Sequence, residues 1–161
     1  MPEMTLLGWF HTILGILAVL SGFYTLYKYK VISTEESSGR LYVLVTLLVA
    51  GSALGIYNQG GFGVAHILAV LTLIALSGGY IMERFKWFGS FSKYFQALGY
   101  TSTLLFHMIP AITDFLRRLP VGDPFIDSFE DPLLLNFHTA FLFIYLFGLV
   151  AQMIWLKKQV A

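Results

Sequence analysis

Residues 6–27, LLGWFHTILGILAVLSGFYTLY, run without a single formal charge. As a helix this stretch reaches about 33 Å, enough to cross a bilayer hydrocarbon core of about 30 Å. In lipid every backbone N–H and C=O must be paired internally, so a spanning chain is restricted to helices or a closed barrel. Four more apolar segments follow, at 41–57, 64–82, 95–116 and 133–156, each too long and continuous for a strand. The expected fold is therefore an all-α polytopic membrane bundle of five transmembrane helices, forming one integral-membrane domain over 1–161. With 57% hydrophobic and 12% charged residues, the chain falls well below the roughly 25% charge of a soluble domain. The leader MPEMT has no basic residue and no A-x-A-like cleavage site follows, so the first span is expected to be retained.

The basic residues orient the bundle. With five spans, Lys28, Lys30, Arg40, Arg84, Lys86, Lys93, Lys157 and Lys158 share one side. Only Arg117 and Arg118 fall on the other, with Glu3, Asp114, Asp123, Asp127, Glu130 and Asp131. The positive-inside rule then places the N-terminus outside and the C-terminus in the cytoplasm, as expected in a bacterial inner (cytoplasmic) membrane. The segment 85–91, FKWFGSF, reads as an interfacial stretch on the cytoplasmic face. The loop at 117–132 is acidic and broken by three prolines, a solvated connector or an outer lid.

Histidine carries the chemical signal. Cysteine is absent, which excludes disulfides, thiolate metal sites and Cys nucleophiles. The four histidines, His11, His66, His107 and His138, each occupy a different span. Ionisable residues inside membrane spans are functional-site candidates by default. Measured from the outer ends, His66 lies about 3 Å deep, His11 and His138 about 8 Å, and His107 about 14 Å. All four therefore share the outer half. His11 also interrupts a stripe of small residues, Gly8, Gly15, Ala18 and Gly22, where another helix or a flat ligand can approach the backbone.

Three chemistries use such a layer. The first is a haem b with His11 and His138 as axial ligands, Gly8, Gly15, Gly22 and Gly99 giving clearance, and Arg117 and Arg118 pairing the propionates. The second is a copper, zinc or iron ion held by His11, His66 and His138 or a set including His107; the spread in depth argues against all four on one ion. The third is proton or solute handling through His107, with Asp114 or Tyr145 in relay. Against these stands plain packing: a histidine in a membrane helix often serves as a hydrogen-bonded contact, and glycine stripes more often seat helices than ligands. Phosphate-binding loops, H-E-x-x-H, nucleophile elbows and basic patches for nucleic acid are absent from the sequence.

The early histidine followed by Gly39, Arg40, Tyr42 and Val43 at the start of the second span resembles a group of small bacterial multi-pass proteins of unknown function, over residues 6 to 82. One histidine per helix is similar, more loosely, to membrane b-type cytochromes. That resemblance implies haem ligation and electron transfer with quinol or a soluble electron carrier. Di-haem members place histidine pairs toward both membrane faces, whereas all four here lie toward one, leaving room for one haem. The sequence-based expectation is a haem- or metal-binding protein of membrane electron transfer. The alternatives are an accessory subunit of a larger membrane complex and a small transporter or proton channel.

Overall fold

Thr5 starts the first helix, its side chain accepting a hydrogen bond from the Gly8 N–H at 3.1 Å. Five helices follow: α1 (Leu6–Tyr29), α2 (Ser37–Ala53), α3 (Val64–Phe85), α4 (Ser92–Arg118) and α5 (Pro132–Lys158). The computed structural model describes residues 4–57 and 61–159; Glu3 and residues 58–60 of the NQGGFG turn lie outside it. Among the described residues there is no strand. Segment 85–91 is the end of α3 followed by a single 3-10 turn, Gly89–Phe91, and Phe85, Trp87, Phe88 and Phe91 are all exposed. α4 runs unbroken through Pro110.

Helices α1, α3 and α5 are long and apolar enough to cross a membrane. α2 is apolar but has only 17 residues. α4 has 27, and its apolar face is interrupted by Tyr100, Thr101, Thr103 and His107, all buried. Polar groups are tolerated in such a helix because they face its neighbours and not the surroundings.

The first four helices close a ring. α1 packs on α2, α2 on α3, α3 on α4, and α4 returns to α1; α5 lies outside, against α4. Ala18, Tyr42, Val45, Val49, Leu76, Tyr100 and Leu104 fill the ring. Outward-facing Ile13, Ile74 and Phe147 are 62%, 63% and 73% exposed, and they belong to an apolar mantle far larger than soluble proteins display. The closest helix contact is between α3 and α4, where a Cβ on Gly99 would sit 2.7 Å from the Ala75 carbonyl oxygen and 2.9 Å from the Gly79 nitrogen. Two backbones touch there because neither carries a side chain at the crossing.

Candidate functional site

Each histidine has its own hydrogen-bond partner. His11 Nδ1 lies 3.1 Å from the Val49 carbonyl oxygen and 3.1 Å from Ser52 Oγ, tying α1 to α2. A carbonyl only accepts, so Nδ1 carries the proton in that bond. His138 Nε2 lies 3.2 Å from Thr113 Oγ1, tying α5 to α4. The Thr113 hydroxyl hydrogen is already given to the Ile109 carbonyl, so His138 is the donor. His66 Nδ1 accepts the Gly63 N–H at 3.1 Å and caps its own helix, its ring stacked on Phe62 and tilted against Tyr57. His107 Nε2 lies 3.1 Å from Thr46 Oγ1, joining α4 to α2.

His11 and His138, the expected axial pair, thus serve different helix pairs, and each uses one ring nitrogen as a donor. Donation from His11 Nδ1 and His138 Nε2 leaves His11 Nε2 and His138 Nδ1 with their lone pairs. Among the described residues no three His, Asp or Glu side chains converge as a metal site would require. The expected glycine cradle is divided as well. A Cβ on Gly22 would strike the Tyr42 ring, Gly8 faces its own cap at Thr5, and Gly15 has nothing within 4 Å. The guanidinium of Arg117 stacks 3.8 Å from the Phe129 ring centroid, and Arg118 Nε lies 3.6 Å from Asp114 Oδ1.

The structure instead groups polar side chains along the inside of the ring. On α2, Tyr42, Thr46 and Ser52 lie along one helical face; on α4, Tyr100, Thr103 and His107 do the same. His11 is half-buried at the Ser52 end of this face. His107 meets Thr46, and its ring lies edge-on to Tyr42 with centroids 6.3 Å apart. The Tyr42 hydroxyl pairs with Thr103 Oγ1 at 2.5 Å, and Thr103 donates to the Tyr100 carbonyl at 2.7 Å. The Tyr100 hydroxyl then donates to Glu83 Oε2 at 2.7 Å. Tyr42, Thr46, Tyr100 and Thr103 are completely buried.

Glu83 is the residue that sequence reading missed, because it follows the expected third span by one position. Its Oε1 accepts from Ser33 Oγ and from the Thr34 N–H, both at 2.6 Å; Oε2 accepts from Thr34 Oγ1 at 2.9 Å as well as from Tyr100. One carboxylate with four donors clasps the α1–α2 loop to α3 and α4. The Gly39–Arg40–Tyr42 motif belongs to this clasp. A Cβ on Gly39 would collide with the Ser33 carbonyl, Arg40 Nε donates to the Thr34 carbonyl at 3.2 Å, and Tyr42 enters the file above. The available signal was the Tyr42/Thr46 and Tyr100/Thr103/His107 periodicity inside otherwise apolar spans. No protein family, curated protein or solved structure matches this chain.

Proposed function

We propose that the chain crosses the membrane five times, with its N-terminus outside, and that the four-helix ring conducts protons between its outer rim and Glu83 at the cytoplasmic end. The observation that carries this reading is the buried run His107, Thr46, Tyr42, Thr103 and Tyr100, which ends on half-buried Glu83, with half-buried His11 and exposed Asp114 toward the outer rim. From Ser52 to Tyr42 the α2 edge of the file covers about 15 Å, half of the hydrocarbon thickness.

Imidazole and hydroxyl groups relay a proton by receiving it on one lone pair and releasing another from the opposite side. The net result is one proton moved, and rotation of the groups resets the chain. Four links lack a direct side-chain hydrogen bond, Asp114 to His11, His11 to His107, Thr46 to Tyr42 and Thr103 to the Tyr100 hydroxyl; water or ring rotation must bridge them. Moving one proton across the full potential is worth about 2.3 kcal/mol per 100 mV, ample to drive transfer. The eight basic residues at the Glu83 end support the cytoplasmic assignment of that end.

The test is proton flux into vesicles carrying a pH dye, under an imposed potential. Wild type should exceed protein-free vesicles, and His107→Ala and Thr46→Val should each reduce the excess at least about tenfold, the factor given by roughly 1.4 kcal/mol of added barrier. Flux equal to protein-free vesicles, or unchanged in both variants, refutes the reading. A Soret band in the same preparation, lost in His11→Ala or His138→Ala, would replace it with haem-based electron transfer.

A further inference from the structure

A second feature lies on the opposite face of α4. Because α5 packs on α4 outside the ring, α1 and α5 flank an open-sided groove of about 600 Å³ whose floor is α4. That volume is in the range of ligand sites, about 300–1,000 Å³. From Phe141 to Trp155 the α5 wall is about 21 Å long, more than the ~15 Å of one hydrocarbon leaflet. Phe23, Leu26, Leu104 and Met108 contribute an apolar lining.

The polar groups that reach this groove decide what can occupy it. Gln152 is held at both ends: Oε1 accepts from Thr101 at 2.9 Å, and one Nε2 hydrogen goes to the Lys30 carbonyl at 2.8 Å. Ser102 donates to the Leu98 carbonyl, so the Tyr145 hydroxyl, 2.8 Å away, must donate to Ser102. Two neutral donors remain along the wall, the second Nε2 hydrogen of Gln152 and the indole N–H of Trp155. The charged group among the lining residues is the Lys30 ammonium at the cytoplasmic mouth. It is exposed and gives one hydrogen to the Tyr27 carbonyl at 2.7 Å, so two of its three remain. Lys157 and Lys158, in the turn after Trp155, add charge at the same end. An occupant matched to this site is apolar throughout its length and anionic at the Lys30 end.

We propose that the groove is a binding site for an anionic phospholipid of the cytoplasmic leaflet, its acyl chain lying between α1 and α5 and its phosphate meeting Lys30. This rests on the membrane reading of the chain and not on proton transfer. Gly148 provides the sharpest perturbation, since it lines the groove and a Cβ there meets nothing within 4 Å. Gly148→Leu therefore projects a side chain into the groove with no clash at its Cβ.

The full chain is reconstituted into vesicles of phosphatidylglycerol and phosphatidylcholine in equal amounts, extracted in mild detergent, and examined by native mass spectrometry. The expected result is one retained phosphatidylglycerol per chain, lost in Gly148→Leu. In Lys30→Gln a lipid remains, but the preference for phosphatidylglycerol falls about fivefold, the effect of one lysine beside an anionic headgroup. Retention of both lipids alike in the wild type, a lipid unaffected by Gly148→Leu, a retained quinone or a second protein chain in its place each overturn the proposal. Proton flux in Gly148→Leu should match wild type, so the failure of one reading is distinguishable from failure of the other.

Discussion

Replacing Glu83 separates the fold from the relay. Glu83→Ala removes the acceptor for Ser33 Oγ, the Thr34 N–H, Thr34 Oγ1 and Tyr100 OH at once. Tyr100 is fully buried, so its stranded hydroxyl costs about 1–3 kcal/mol. The loop donors can turn toward water, and their loss is limited to about one charge-assisted bond, roughly 1.5–3 kcal/mol. The sum is about 2.5–6 kcal/mol, and non-additivity within one network keeps it from reaching four full bonds. Glu83→Gln behaves differently. Its amide oxygen keeps the Ser33 and Thr34 N–H pair, and its NH2 can donate to the Thr34 and Tyr100 hydroxyl oxygens, so the loss is about 1–2 kcal/mol. In thermal scans in one detergent, Glu83→Ala should lower Tm by roughly 10 °C and Glu83→Gln by about a third of that. In vesicles both should lose proton flux, because an amide cannot take up the proton. If Gln destabilises as much as Ala, or Ala leaves Tm unchanged, the four-donor clasp is not what holds the loop. If Glu83→Gln conducts like wild type, Glu83 is not the end of the relay.

The remaining predictions concern packing. Gly99→Ala forces α3 and α4 apart at the Ala75 carbonyl and should cost about 1–3 kcal/mol, whereas Gly15→Ala, with nothing within 4 Å, should be neutral or stabilising by up to about 1 kcal/mol; paired thermal scans compare them. Gln152→Leu leaves the Lys30 carbonyl and Thr101 without their partner and should destabilise by about 1–2 kcal/mol, with α5 becoming the most protease-sensitive helix. His138→Leu should cost about 0.6–1.7 kcal/mol, the measured worth of a hydrogen bond between membrane helices, and should leave the absorption spectrum unchanged. A Soret band that disappears in this variant would contradict that role.

Much of the helical layout could be read from the chain because it depends on local chemistry. Uncharged apolar runs longer than strands have one way to pair their backbone groups, and Thr5, Asp131 with Pro132, and the αL residues Lys30 and Lys86 start or stop helices close to the expected bounds. The histidines and the small-residue stripe on α1 were equally visible, but hydropathy does not fix how far each helix turns about its own axis. That rotation sent His11 toward Val49 and His138 toward Thr113, and set Gly22 against the Tyr42 ring. Gly51 has open space around it, while Gly79 and Gly99 sit where α3 and α4 come into backbone contact.

The sequence by itself determined an all-helical chain with membrane-length apolar segments, and gathered most of its positive charge at one end. Both follow from residue-by-residue transfer energies that need no partner. Only the tertiary structure decided that α1 to α4 form a ring with α5 outside it. It also set Glu83 against Ser33, Thr34 and Tyr100, and brought Thr46 and Tyr42 on α2 against His107 and Thr103 on α4. Those outcomes depend on contacts between residues as far apart as Tyr42 and Thr103, set by the fit of helix faces and not by the local composition of any one segment.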